Sequence, residues 1–130
     1  MNGTSPRSEI FQPTSLQEIL YEMHESGDFR AVILASKDGL PVATEPADYD
    51  SEIAAAAVAL LRKVSSDAQR QVGLAALDEV TIRSSDHVRL ACRYLNVGEQ
   101  GLILVALVPP GHYYRRATNR AIRKIRQLLA

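Results

Sequence analysis

The sequence predicts an α+β domain. A five-stranded antiparallel sheet carries one long helix on one face and the two terminal helices on the other. Three observations lead there. Turn residues join short β-type runs at Asp38-Gly39, at Ser85-Asp86 and at Gly98 to Gly101, so sequential strands pair as hairpins and a meander. One unbroken helical stretch, about Ser51 to Val72, divides the first pair of strands from the last three. The first strand run, "FRAVILAS" (Phe29 to Ser36), is apolar at nearly every position, as a strand is when both faces of its sheet are covered.

The chain has 130 residues, of which 46% are apolar, so one domain with one core is expected. Fifteen basic and fifteen acidic side chains balance to a net charge of zero, which argues against a general nucleic-acid binder. Cys92 is the sole cysteine, which rules out an intramolecular disulfide and a multi-cysteine zinc site. The longest apolar runs, Ile53 to Leu61 and Leu102 to Val108, are too short to span a bilayer. The N-terminus has no apolar signal segment. A cytoplasmic protein without stable membrane insertion is the expectation.

Residues 1–13 are polar, rich in Ser, Thr, Pro and Gly, and read as a flexible arm before a domain over 14–130. Ser15 and Glu18 have capping-box spacing, and Leu16, Ile19, Leu20 and Met23 form an apolar stripe, so the first helix starts there. It should stop at Ser26-Gly27, with the glycine in the left-handed conformation. Phe29 to Ser36 and Leu40 to Thr44 follow as strands. The capping-rich loop "EPADYDS" opens the long helix, which Gly73 ends. Leu77 to Ser84, His87 to Val97 and Leu102 to Val108 are the last three strands. Tyr113 to Ala130 forms the final helix.

The long helix is the anomaly. Ile53, Ala57, Leu60, Val64 and Ala68 mark one face, and Ala54, Val58, Leu61 and Ser65 make a second stripe beside it. Its first half has almost no polar side. A helix apolar all round is normally buried, and a domain this small can cover only one side of it. The other side requires a partner.

Chemical motifs are sparse. Asp38-Gly39 reads as a tight turn that needs those residues for their backbone conformations, in preference to a ligand loop. His24, His87, His112 and Cys92 lack metal-ligand spacing, and neither GxxxxGK[ST] nor GxGxxG is present. No catalytic residue, cofactor or metal is therefore expected. The final helix carries Arg115, Arg116, Arg120, Arg123, Lys124 and Arg126 without an acid between them. Compensation by Glu18, Glu22 and Glu25 of the first helix is the plain reading. Contact with an acidic partner, anionic lipid or nucleic acid is the alternative.

The order of elements, with "VILASKDGLPVAT" near the start and "YLNVGEQGLILVALV" before the last helix, resembles the Roadblock light-chain (dynein light chain roadblock) family over residues 15–130. The prokaryotic MglB-type members are the nearest in kind. The resemblance implies a profilin-like fold without enzymatic activity. It also implies homodimers or heterodimers in which third strands pair edge to edge and middle helices pair side by side, and a small-GTPase or scaffold partner. On this basis Ala54, Val58, Leu61 and Ser65, with Val80, Thr81 and Ile82, are expected at the dimer interface. Arg62, Lys63, Ser66, Gln69 and Arg70 are expected to face a Ras-like GTPase, either activating it or acting as a scaffold. The rival function is a PAS- or GAF-like small-molecule sensor. A profilin-like or longin-like module with a non-GTPase partner is a third.

Overall fold

The computed structural model describes residues 15–130. The expected N-terminal arm therefore lies outside the described residues. Eight elements follow in the expected order: α1 (Leu16–Gly27), β1 (Ala31–Ser36), β2 (Pro41–Glu45), α2 (Ser51–Gln71), β3 (Glu79–Arg83), β4 (Arg89–Val97), β5 (Gln100–Val108) and α3 (Arg115–Leu129). The strands form one five-stranded sheet in the order β2-β1-β5-β4-β3, and every neighbouring pair is antiparallel. The fold is α+β, as expected. β5 and β1 run through the middle, and β2 and β3 are the edges.

Local chemistry sets the ends of the elements. Ser15 accepts a hydrogen bond from the Glu18 backbone N–H at 3.1 Å and starts α1. The end of α1 departs from expectation. Asp28, not Gly27, takes the left-handed conformation, with φ of 53°. Aspartate tolerates that region better than most residues. Gly27 is needed for a different reason: a Cβ there would lie 2.3 Å from the Phe29 ring. Asp50 caps α2 by accepting from the Glu52 and Ile53 N–H groups at 2.9 and 3.2 Å. At its far end Gly73 adopts φ of 82°, which lets the Leu74 N–H reach back to the Ala68 carbonyl at 3.1 Å. α3 begins at Arg115, later than expected, because a turn in which the His112 N–H meets the Pro109 carbonyl precedes it.

Ala31 through Ala35 of β1 are all buried, and Val32 through Ala35 divide between two cores. Val32 and Leu34 join Ile19, Leu20, Ala106 and Ile125 under α1 and α3. Ile33 and Ala35 join Cys92, Ile103, Val105 and three residues of α2 on the opposite face. A strand covered on both sides has no polar positions to alternate with.

Candidate partner-binding surface

The chain leaves an apolar surface open, and α2 borders it. α2 turns Ala54, Val58 and Leu61 onto its own sheet, where they are 5%, 3% and 0% exposed. This corrects the expectation that they face a partner. Ser65, one turn on, is partly buried and accepts from the Gln69 side chain at 3.2 Å. The Tyr94 hydroxyl donates to the Leu61 carbonyl at 2.6 Å and ties the helix to β4. The two apolar stripes form one broad arc, and a single helix seated on a sheet turns only part of such an arc inward. Here the second stripe meets the sheet.

The outer part of the arc belongs to the first stripe. Ile53 is 53% exposed and Leu60 is 47% exposed. With Ala56, Tyr49, Leu90 and Leu107 they line an apolar groove of about 320 Å³. Leu90 pairs in register with Ile82, which is 38% exposed on edge strand β3. The apolar surface therefore runs from α2 across β4 to a bare sheet edge. Val80 points to the same side and packs against the α2-side core. Thr81 points to the other side, within 3.0 Å of the Tyr114 hydroxyl. Sequence reasoning missed Tyr49, Ala56, Leu90 and Leu107. The signal for Leu90 was its register opposite an exposed Ile82, which no single sequence displays.

The opposite flank of α2 is basic. Arg62, Ser66, Gln69 and Arg70 line a groove of about 480 Å³ with Lys37 and Tyr94. Arg62 donates through Nε to the Lys37 carbonyl at 3.0 Å, and Arg70 through Nε to the Ser66 hydroxyl at 3.2 Å. The Asp38-Gly39 turn belongs to this contact. Gly39 has φ of 95°, and a Cβ on it would lie 2.8 Å from the Arg62 guanidinium. Lys63 lies away from this groove and pairs with Asp67 at 2.8 Å. The lysine, through the hydrogen bond foremost, holds the Asp67 carboxyl below its usual range. The structure thus brings four of the five expected GTPase-facing residues to one flank.

The remaining reactive side chains sit apart. Burial pushes the Cys92 thiol up to about 12 and also raises the Tyr94 phenol, so neither ionises near neutrality. His112 bonds Asp28 at 3.1 Å, His24 lies 3.4 Å from Glu25, and His87 occupies a left-handed turn position before β4. Among the described residues no group of three or more His, Cys, Asp or Glu side chains is placed to hold a metal ion. Among them, too, no helix is long and apolar enough to cross a membrane.

Residues 16–106 match the family model of the Roadblock/LC7 domain. The chain belongs to this family. MglB of Myxococcus xanthus superposes with a TM-score of 0.70 at 11% identity, covering 87% of this chain and 93% of that one. The gliding protein MglB of Thermus thermophilus gives 0.70 at 15% identity, covering 99% and 94%. A Roadblock/LC7 domain from Streptomyces avermitilis gives 0.67 at 17% identity, covering 86% and 92%. At these identities the likenesses establish the shared fold. No curated protein matches the sequence.

Proposed function

We propose that this Roadblock domain is a non-enzymatic, cytoplasmic regulatory adaptor that works as a homodimer and docks a Ras-like small GTPase. The observation that supports it most is the open apolar strip from Ile53 and Leu60 through Leu90 to Ile82. A second copy fits that strip. Its α2 lies against Ile53, Ala56 and Leu60, and its β3 pairs with this β3, so the interface is isologous. Val80, Thr81 and Ile82 are the strand residues at that edge. Pairing also removes an exposed edge that would otherwise invite aggregation. Two α2 helices side by side then present Arg62, Ser66, Gln69 and Arg70 twice, with Lys63 between them. A GTPase bound there is biased toward whichever conformation fits better, whether the outcome is activation or scaffolding.

Light scattering coupled to size exclusion tests the dimer. Wild type is expected as a dimer and Leu60→Glu as a folded monomer, because the glutamate charge would be buried only in the dimer. Val58→Glu is unsuitable, since Val58 belongs to the chain's own core. Pull-down of Ras-like GTPases from the same organism, loaded with GDP or a non-hydrolysable GTP analogue, tests the partner. Arg62→Glu with Arg70→Glu is expected to weaken capture by about tenfold or more. A wild-type monomer whose melting temperature rises with a metabolite would instead favour the small-molecule sensor.

A further inference from the structure

The six cations of α3 divide into two groups. Arg115 forks onto Glu79 of β3 at 2.9 and 2.8 Å, Lys124 reaches Glu22 of α1 at 2.5 Å, and Arg126 donates to the Asn96 carbonyl at 3.0 Å. These three hold α3 to its neighbours. Arg116, Arg120 and Arg123 are exposed, and their side chains make no hydrogen bond or ion pair among the described residues. Their spacing of four and three residues places them in one row along the helix. Compensation by α1 therefore accounts for Lys124 and leaves this row unmatched.

Arg116 and Arg120 of the row border a trough along the seam of α1 and α3, and Arg123 follows Arg120 one turn on. One stretch, of about 880 Å³, lies at the end of α1 and is lined by Ser26, Tyr113, Arg116 and Arg120, with Asp28 held against His112 at 3.1 Å. The next, of about 480 Å³, is lined by Ile19, Tyr21, Met23, Ala117 and Ala121. Ser26, Ala117 and Arg120 line both, so the trough is continuous. Two aromatic rings stand at it, Tyr113 at 91% exposure and Tyr21 at 54%.

We propose that this trough docks an acidic linear segment of a partner protein, with its carboxylates on Arg116, Arg120 and Arg123 and an apolar side chain in the seam. Guanidinium groups bind carboxylates through paired N–H donors, and three unpartnered ones in a row favour a segment with repeated acids. The floor supplies apolar contact that a polyanion alone would not use. A planar anionic membrane fits less well, because a plane laid on this face also meets Glu22 and Glu25 of α1. Both glutamates also line the trough, but Glu22 is paired with Lys124 at 2.5 Å, and a narrow segment can keep to the arginine side. The trough lies on the face of the sheet opposite α2, so the segment and the GTPase can be held together, one on each face. A dimer would carry two such troughs, and a partner with two acidic segments gains avidity.

Fluorescence anisotropy on the full chain tests this with a fluorescein-labelled peptide of alternating glutamate and leucine. Its counterpart with lysine for glutamate serves as control. The acidic peptide is expected to bind saturably, more weakly as salt rises, and the lysine peptide not to bind. The combined change R116E, R120E and R123E is expected to weaken binding more than tenfold with an unchanged circular dichroism spectrum, and Arg120→Gln alone by a few fold. Arg30→Glu, an exposed cation outside the trough, should change it less than twofold. Leu60→Glu should bind the peptide as wild type does, which separates this proposal from the dimer. Equal loss in Arg30→Glu, no saturable binding, or binding to phosphatidylglycerol vesicles without binding to the peptide would each overturn it.

Discussion

The two faces of the sheet are finished to different degrees. Under α1 and α3, Val32, Leu34, Ala91, Leu95, Leu102, Leu104 and Val108 are roofed by two helices, and all are buried. On the other face α2 alone covers Ile33, Ala35, Cys92, Ile103 and Val105. A helix is about 10 Å wide, whereas five strands spaced about 4.8 Å apart span roughly twice that. The uncovered remainder is where Leu90, Leu107 and Ile82 show. A single chain completes one face. On the other it leaves an apolar margin open.

Core truncations should expose the contrast most strongly. Leu61→Ala, on the fully buried side of α2, is expected to cost about 2–5 kcal/mol, and Leu104→Ala under α1 and α3 a similar amount. Both losses should be independent of protein concentration. Leu60→Ala should behave differently. It should cost a dilute monomer about 1 kcal/mol or less, yet lower the concentration dependence of stability, because it weakens association. Urea unfolding at two protein concentrations distinguishes these outcomes. A Leu60→Ala loss as large as that of Leu61→Ala at low concentration would mean that Leu60 is core after all.

The excess apolar surface of α2 was legible in the sequence, but the faces of the helix were misassigned. Hairpin turns, caps and the continuous apolar run of β1 specify backbone states locally, so element order and the antiparallel sheet could be read directly. Two adjacent apolar stripes on α2 share no polar boundary, so periodicity alone does not say which one meets the sheet. That choice depends on the docking of α2 across β1, β5 and β4, which no local pattern encodes. Gly27 is similar: its need becomes visible only once the Phe29 ring lies against it. The basic flank was easier, since Arg62, Gln69 and Arg70 lie outside the apolar arc whichever stripe faces in. The arginines of α3 could be named from sequence, but their division into paired and unpaired groups needed the positions of Glu79, Glu22 and Asn96.

A chemical probe sharpens the comparison within the α2 face. Cys92 lies in its covered part, 1% exposed, with burial pushing the thiol up to about 12. At pH 8 the native protein should react with an aromatic disulfide reagent only as fast as it opens. Leu61→Ala should speed that reaction in proportion to its loss of stability, and Leu60→Ala in a dilute monomer should barely change it. Rapid labelling of wild type would mean that α2 does not seal this part of the sheet.

The smallest expected effect concerns β3, the strand on which the two faces meet. Its open side carries Val80 and Ile82, while the side toward α3 is fastened by charge. Arg115 and then Arg93 hold the Glu79 carboxyl below its ordinary value near 4.5. The stabilisation from a depressed carboxyl is present above the unfolded value and disappears as pH falls through the folded one. Glu79→Gln should therefore lower the urea midpoint at pH 7, and the difference should shrink as the pH falls through the lowered value of the wild-type carboxyl. The difference should be modest and shrink with salt, because the Arg115 side chain is well exposed. A difference that does not shrink as the pH falls would locate the loss in contacts of the side chain other than its charge. β3 would then be fastened to the finished face by shape, and the charge pair would be free to open when a second strand arrives at the edge.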